Sequence, residues 1–154
     1  MNKVNELSCL AAVSKYDIIL VTESWCHEGI TNAYLSIPGY QLQPYLRIDR
    51  CDTVNGIGGG LLVYSREGLV ILPSDKKNVF NQYLTFKISL AEVTTTLYLV
   101  YRPPNSNDMA GLIDIIKSVP ANSVLIGDFN LPSIDWDTGT AGGRAGEFLN
   151  AVEE

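Results

Sequence analysis

Asp128 and Asn130 stand two residues apart, directly after the apolar run 124–126 and Gly127. That run reads as a buried strand. A tight bend after it would put both side chains at the carboxyl end of a strand, where open α/β sheets bind ligands. A carboxylate beside a neutral amide suits phosphate chemistry. The carboxylate can hold a divalent metal or orient a water, and the amide can donate to a phosphate oxygen without adding repulsion. Asp, Asn and Pro are also ordinary turn formers, so the segment alone reads first as a plain turn. Two more strand ends carry polar residues: Glu23 after Ile18–Val21, and Tyr101-Arg102 after 97–100. Taken singly, Glu23 reads as a surface carboxylate and Tyr101 as a strand tyrosine with a satisfied hydroxyl. Arg102 reads as half of a surface ion pair. Three such ends could converge on one crevice.

Sheets and covering helices must position these groups. Val4, Leu7 and Ala11 recur at helical spacing, which predicts an amphipathic helix ending near Ser14. Ile18–Val21 is a short apolar strand. Residues 29–40 read as irregular, with a turn at Pro38-Gly39, and residues 49–55 as a polar loop. Gly58-Gly59-Gly60 could cradle phosphate if a helix followed. Strand formers follow instead, which predicts a bulge or a tight start to a strand. Arg66-Glu67-Gly68 predicts a hairpin turn into 69–72. Residues 83–88 alternate, with Leu84, Phe86 and Ile88 opposite Tyr83, Thr85 and Lys87, as in a half-buried strand. Residues 95–101 form another, broken by Pro103-Pro104. Met109, Leu112, Ile113 and Ile116 predict a helix capped by Ser106, Asn107 or Asp108. A strand over 123–127 and a helix carrying Ala145, Phe148, Leu149 and Val152 complete the order. Strands in hairpin and crossover settings with covering helices predict an α/β chain with α+β mixed sheets.

The 154 residues are 46% hydrophobic and 18% charged, the size and composition of one globular domain. No apolar run nears the roughly 20 residues of a membrane helix, so no membrane partner is expected. The first residues lack the apolar core of a signal peptide. The net charge of −6 argues against a generally basic nucleic-acid surface. It is compatible with a metal-dependent nuclease, whose site is itself acidic. Cys9, Cys26 and Cys51 are odd in number and lack C-x-x-C spacing, which predicts structural thiols in a reducing, intracellular setting.

Five pieces occur in a telling order: Thr22-Glu23-Ser24-Trp25, Ile37-Pro38-Gly39-Tyr40, Gly58-Gly59-Gly60-Leu61-Leu62-Val63-Tyr64, Val100-Tyr101-Arg102-Pro103-Pro104 and Gly127-Asp128-Phe129-Asn130. In this order the chain resembles the endonuclease/exonuclease/phosphatase family, the DNase I-like fold. Its flavour is most similar to the endonuclease domain of jockey-type non-LTR retrotransposon reverse transcriptase polyproteins. The resemblance implies a partial four-layer α/β sandwich. It implies that Glu23 binds the metal, Mg²⁺ or Mn²⁺, and that Tyr101 contacts the scissile phosphate. It implies that Asp128 positions or activates the attacking water and that Asn130 steadies the phosphate. The implied partner is a DNA target, and the implied location is the nucleus.

Two of the family's features lack a counterpart. The family's first strand, which carries an asparagine, would precede Val4, and its Asp-His pair would follow Glu154. The chain is therefore expected to be a single, incomplete domain over 1–154. The one histidine, His27, is expected to be solvent-exposed and without a role. Lacking a positioned base, hydrolysis is expected to fall by roughly 10²–10⁴-fold. The alternatives are a non-catalytic remnant or binding module, or a phosphatase acting on a lipid or inositol headgroup.

Overall fold

The computed structural model describes residues 3–50, 58–74, 82–90 and 93–153. Cys51 and residues 52–55 of the expected polar loop lie outside them. Four layers follow one another: a helix, a three-stranded sheet, a four-stranded sheet and two helices. These layers make an α/β fold with one antiparallel and one mixed sheet, the four-layer sandwich that the family resemblance implies.

The first sheet has the order β1-β3-β2, from β1 (Ile18–Val21), β3 (Leu61–Arg66) and β2 (Tyr40–Ile48), all antiparallel. Its outer face carries Ile19, Leu62 and Tyr64, on which α1 (Val4–Ser14) lays Val4, Leu7 and Ala11. The second sheet runs β4-β5-β6-β7, from β4 (Ile71–Pro73), β5 (Tyr83–Leu90), β6 (Val93–Tyr101) and β7 (Ser123–Asp128). The β6–β7 pair alone is parallel, joined by the crossover helix α2 (Met109–Ser118). Asp108 caps α2 by accepting the Gly111 N–H at 2.9 Å. Leu112, Ile115 and Ile116 of α2 meet Phe148 and Leu149 of α3 (Gly143–Glu153) over Tyr83 and Val100. Between the sheets lie Ile48, Leu61 and Val63 from one side and Phe86, Leu97, Leu99 and Tyr101 from the other. Alternation along each strand sends successive residues to opposite layers, so β6 serves both cores at once.

One strand went unread and four expectations need correction. Residues 40–48 are a strand, hidden in the sequence because Pro44 and a register shift between Leu42 and Arg47 spoil the alternation. The turn at Arg66-Glu67-Gly68 does not close a hairpin. β3 already has a neighbour on each side, so the chain crosses to the second sheet, where β4 pairs with β5. The start of β5 is buried on both faces, with Tyr83 and Thr85 covered as well as Leu84 and Phe86, because helices and the other sheet enclose it. Val152 is exposed on α3, and Ala151 takes the inward place. Finally, β7 is not a buried strand. Val124 and Ile126 share the face of Leu97 and Leu99 yet are 43% and 40% exposed, because β7 is the sheet's edge.

Candidate active site

Glu23 lies two residues beyond β1 with a left-handed backbone, φ 52°, and Trp25 follows at φ 55°. Left-handed geometry at such side chains costs on the order of 1–3 kcal/mol each and persists where surrounding bonds enforce it. Here the enforcing partner is the glycine run. The Ser24 N–H donates to the Gly60 carbonyl at 3.1 Å and the Trp25 N–H to the Gly59 carbonyl at 2.9 Å. Gly60 itself has φ 96°, and a Cβ there would sit 2.4 Å from the Ser24 Oγ, so only glycine lets the segments close. The three glycines thus begin a strand and pack against the Glu23 bend.

The carboxylate of Glu23 collects donors from three directions. Its Oε2 accepts the Gly59 N–H at 2.8 Å and the Trp25 Nε1–H at 2.5 Å. Its Oε1 accepts the Tyr101 hydroxyl, which arrives from the opposite sheet. Tyr101 is 1% exposed. Burial, then the hydrogen bond and charge of Glu23, then the charge of Asp128 push its phenol above the ordinary tyrosine range. Tyr101 is therefore a protonated donor at neutral pH.

Asp128 ends β7 directly beside Tyr101 in the parallel ladder. Gly127 permits that register, since a Cβ there would meet the Val100 carbonyl at 2.3 Å. Asp128 Oδ1 accepts the Asn130 N–H at 3.2 Å, a local Asx turn, and Asn130 takes φ 49°. The Asn130 side-chain amide donates to the Arg102 carbonyl at 2.8 Å. Arg102 answers by donating Nη1 to the Asn130 carbonyl at 3.2 Å and Nη2 to the Ser106 carbonyl at 2.8 Å. Arg102 is not a surface ion-pair partner. It is 4% exposed, because the bend of β7 folds over it. Burial, then the charge of Arg144, lowers its pKa.

Glu23 and Tyr101 thus touch, Asp128 lies in Tyr101's electrostatic reach, and Asn130 is joined to both strand ends through Asp128 and Arg102. Among the described residues, no three His, Cys, Asp or Glu side chains cluster as a metal cage. A cleft of about 720 Å³ opens beside Glu23, with Trp25, His27, Ile30, Arg50 and Lys3 among its walls. His27 is half-buried there instead of exposed, and its Nδ1 accepts the Gly29 N–H at 3.2 Å. Sequence reasoning missed Trp25 and Gly59 as partners of Glu23, and Gln82, whose Oε1 accepts the Gly60 N–H at 2.9 Å. The position of Trp25 two residues after Glu23 was the available signal.

The sequence matches the family described as Endonuclease/Exonuclease/phosphatase family over residues 4–148. No curated protein matches it. Among solved structures, the chain is similar to the endonuclease domain of TRAS1, a telomere-specific non-LTR retrotransposon. The TM-score is 0.66 at 17% identity, over 97% of this chain and 63% of that one. An AP endonuclease from Archaeoglobus fulgidus gives 0.60 at 13% identity, over 97% and 64%. Humanized D. rerio TDP2 gives 0.56 at 13% identity, over 92% and 64%. These likenesses show a shared fold. The chain spans less than two thirds of the length of each of these structures.

Proposed function

The chain belongs to the endonuclease/exonuclease/phosphatase family, and from that premise we propose that it is a divalent-metal-dependent phosphodiesterase domain that nicks DNA, as retrotransposon insertion requires. The supporting observation is the meeting of Glu23 and Tyr101 across the two sheets, with Asp128 alongside. Glu23 offers the hard oxygen that Mg²⁺ or Mn²⁺ takes, and such ions are often held by one or two carboxylates plus water. The residues fit an ion of that kind once the Tyr101 hydroxyl leaves Oε1 for the phosphate, with Oε2 kept by Gly59 and Trp25. A bound ion would supply Lewis acidity at a phosphate oxygen.

The chain's own groups do the rest. Tyr101, kept protonated, donates to a phosphate oxygen. An amide carries two N–H donors; Asn130 spends one on the Arg102 carbonyl and the other serves the phosphate. Asp128 orients the attacking water and receives its proton as the water oxygen bonds to phosphorus. The P–O bond to the leaving sugar oxygen breaks, and that oxygen takes a proton from solvent. Fixed donors aimed at developing charge are the main catalytic asset of such a site.

Supercoiled plasmid incubated with Mg²⁺, Mn²⁺ or chelator tests this reading. Metal-dependent nicking that disappears in Glu23→Ala and in Asp128→Ala is expected. Metal-independent nicking, or nicking that survives both substitutions, would refute it. The saturation of the Glu23 carboxylate by protein donors favours one second reading, a non-catalytic DNA-binding module. That reading predicts binding without a metal and no nicking under any of these conditions.

A further inference from the structure

Trp25 is a large aromatic side chain left 51% exposed at the mouth of the cleft, and the fold spends strain to keep it there. Positive φ at a bulky residue is a genuine outlier, and such outliers gather at ligand clamps. The indole is pinned by its edge, through Nε1–H to Glu23 Oε2. An indole held by its edge cannot bury its face by turning away, and an exposed π-face beside a phosphate site is a stacking platform.

The surroundings suit the same ligand. The chain carries a net charge of −6, yet among the described walls of this cleft Lys3, itself 3.6 Å from Glu6, and Arg50 stand against the single acid Glu23. Two basic side chains at one cleft of an acidic protein are a local attraction for anions. The far wall is rigid. Arg47 donates Nη2 to the His27 and Ile30 carbonyls at 3.1 and 2.7 Å and Nη1 to Asn32 Oδ1 at 2.6 Å, and is fixed in turn by Asp49 at 2.5 Å. A cleft of about 720 Å³ lies within the range of preformed small-ligand sites.

The geometry points to a nucleotide subsite: the cleft holds a nucleotide next to the bond cut at Glu23, its base unstacked from the strand and laid on the Trp25 indole, its phosphate facing Lys3 and Arg50. This deepens the nuclease reading and rests on it for the identity of the ligand. It makes Trp25 a substrate-contacting residue that prefers single-stranded or distorted DNA at the cut. Stacking on one aromatic is tolerant of sequence because every base has a π-face.

The test needs no catalysis. In a Trp136→Phe background Trp25 is the remaining tryptophan, and its fluorescence is followed while the full chain is titrated with hexathymidylate in chelator. Saturable quenching is expected, with a dissociation constant that rises with salt. Trp25→Ala should weaken binding, read by anisotropy of labelled hexathymidylate, about tenfold. Lys3→Ala with Arg50→Ala should flatten the salt dependence by about one to two contacts. Trp25→Phe keeps a ring but loses the bond that pins it, so it should bind between the parent and Trp25→Ala. Binding as weak in Trp25→Phe as in Trp25→Ala would mean that Trp25 acts only through Glu23, and would overturn the proposal. So would unquenched fluorescence, or equal binding by the parent and Trp25→Ala with both folded by circular dichroism. Quenching without any nicking in the plasmid assay would leave the subsite standing and remove the enzyme.

Discussion

Two carboxylates flank Tyr101, and the fold treats them in opposite ways. Glu23 comes from the all-antiparallel sheet and is surrounded: a backbone N–H, an indole and a phenol converge on it. Asp128 comes from the parallel end of the mixed sheet and is held by its own local turn, through the N–H two residues on. Both neighbourhoods use left-handed backbone, but at Glu23 it is enforced by a glycine run 36 residues away, whereas Asn130 adopts it by its own side-chain preference. In the proposed function the carboxylate fixed by long-range contacts would hold the ion, and the one on the local turn would orient the water.

The largest expected effect would separate these two roles. Glu23→Gln should weaken Mn²⁺ binding, measured by calorimetry, by more than the roughly 100-fold that bounds the loss of an outer-shell partner. Asp128→Asn should leave Mn²⁺ affinity near that of the parent while abolishing nicking. Equal loss of Mn²⁺ in both variants would mean that the carboxylates share the ion, and the division of labour would fail.

Arg102 supports only the Asp128 side, which gives the next effect in size. Its planar fork reaches carbonyls on both sides of the bend, and a lysine cannot reproduce that geometry. Arg102→Lys should cost about 2 kcal/mol in urea unfolding. Arg66 pairs with Asp17 at 2.7 Å, both about half exposed, so Arg66→Lys should cost less than about 1 kcal/mol. A loss at Arg102 no greater than at Arg66 would show that the bend stands without it.

Tyr101 belongs to both corners and sets a smaller, pH-dependent effect. Its folded pKa is raised, so the unfolded chain releases the phenolic proton first as pH climbs. The stability it contributes is whole below the unfolded value of about 10 and is lost as pH rises toward the folded value. Tyr64, pushed up to about 12 by burial, behaves alike, with its hydroxyl donated to the Leu35 carbonyl at 3.0 Å. Urea midpoints between pH 9 and 11 should therefore fall, at up to roughly 1.4 kcal/mol per pH unit for each tyrosine. Tyr101→Phe and Tyr64→Phe should each remove one share of that slope. An unchanged slope in Tyr101→Phe would mean that neither burial nor the two carboxylates hold the phenol protonated.

The two corners were not equally legible in the sequence. β1, β6 and β7 announce themselves as apolar runs, so Glu23, Tyr101 and Asp128 could be placed at strand ends by periodicity. That these ends meet across two sheets was carried by family resemblance, because pairing between distant strands leaves no local pattern. β2 stayed hidden behind Pro44 and its register shift. The crossing after Arg66 looked like a hairpin because a turn's composition does not say which sheet its second strand joins. Arg102 could not be read as buried from its type alone, since a guanidinium is buried only when carbonyls meet it, and those belong to residues four to 28 positions away.

The smallest expected effect probes whether the Asp128 corner is as local as its geometry suggests. At φ 49°, glycine fits the Asn130 backbone without strain, so Asn130→Gly removes the amide and leaves the turn. The stability lost should be one ordinary hydrogen bond to the Arg102 carbonyl, about 1 kcal/mol in urea unfolding. Asn130→Val removes the same bond but adds a β-branched side chain where φ is positive, so it should cost more than Asn130→Gly by about 1–3 kcal/mol. Nicking should fall in both, since the amide is absent from both. Equal stability of the two variants would mean that the bend moves to accommodate valine. The Asp128 corner would then be set by the Arg102 fork and not by its own turn.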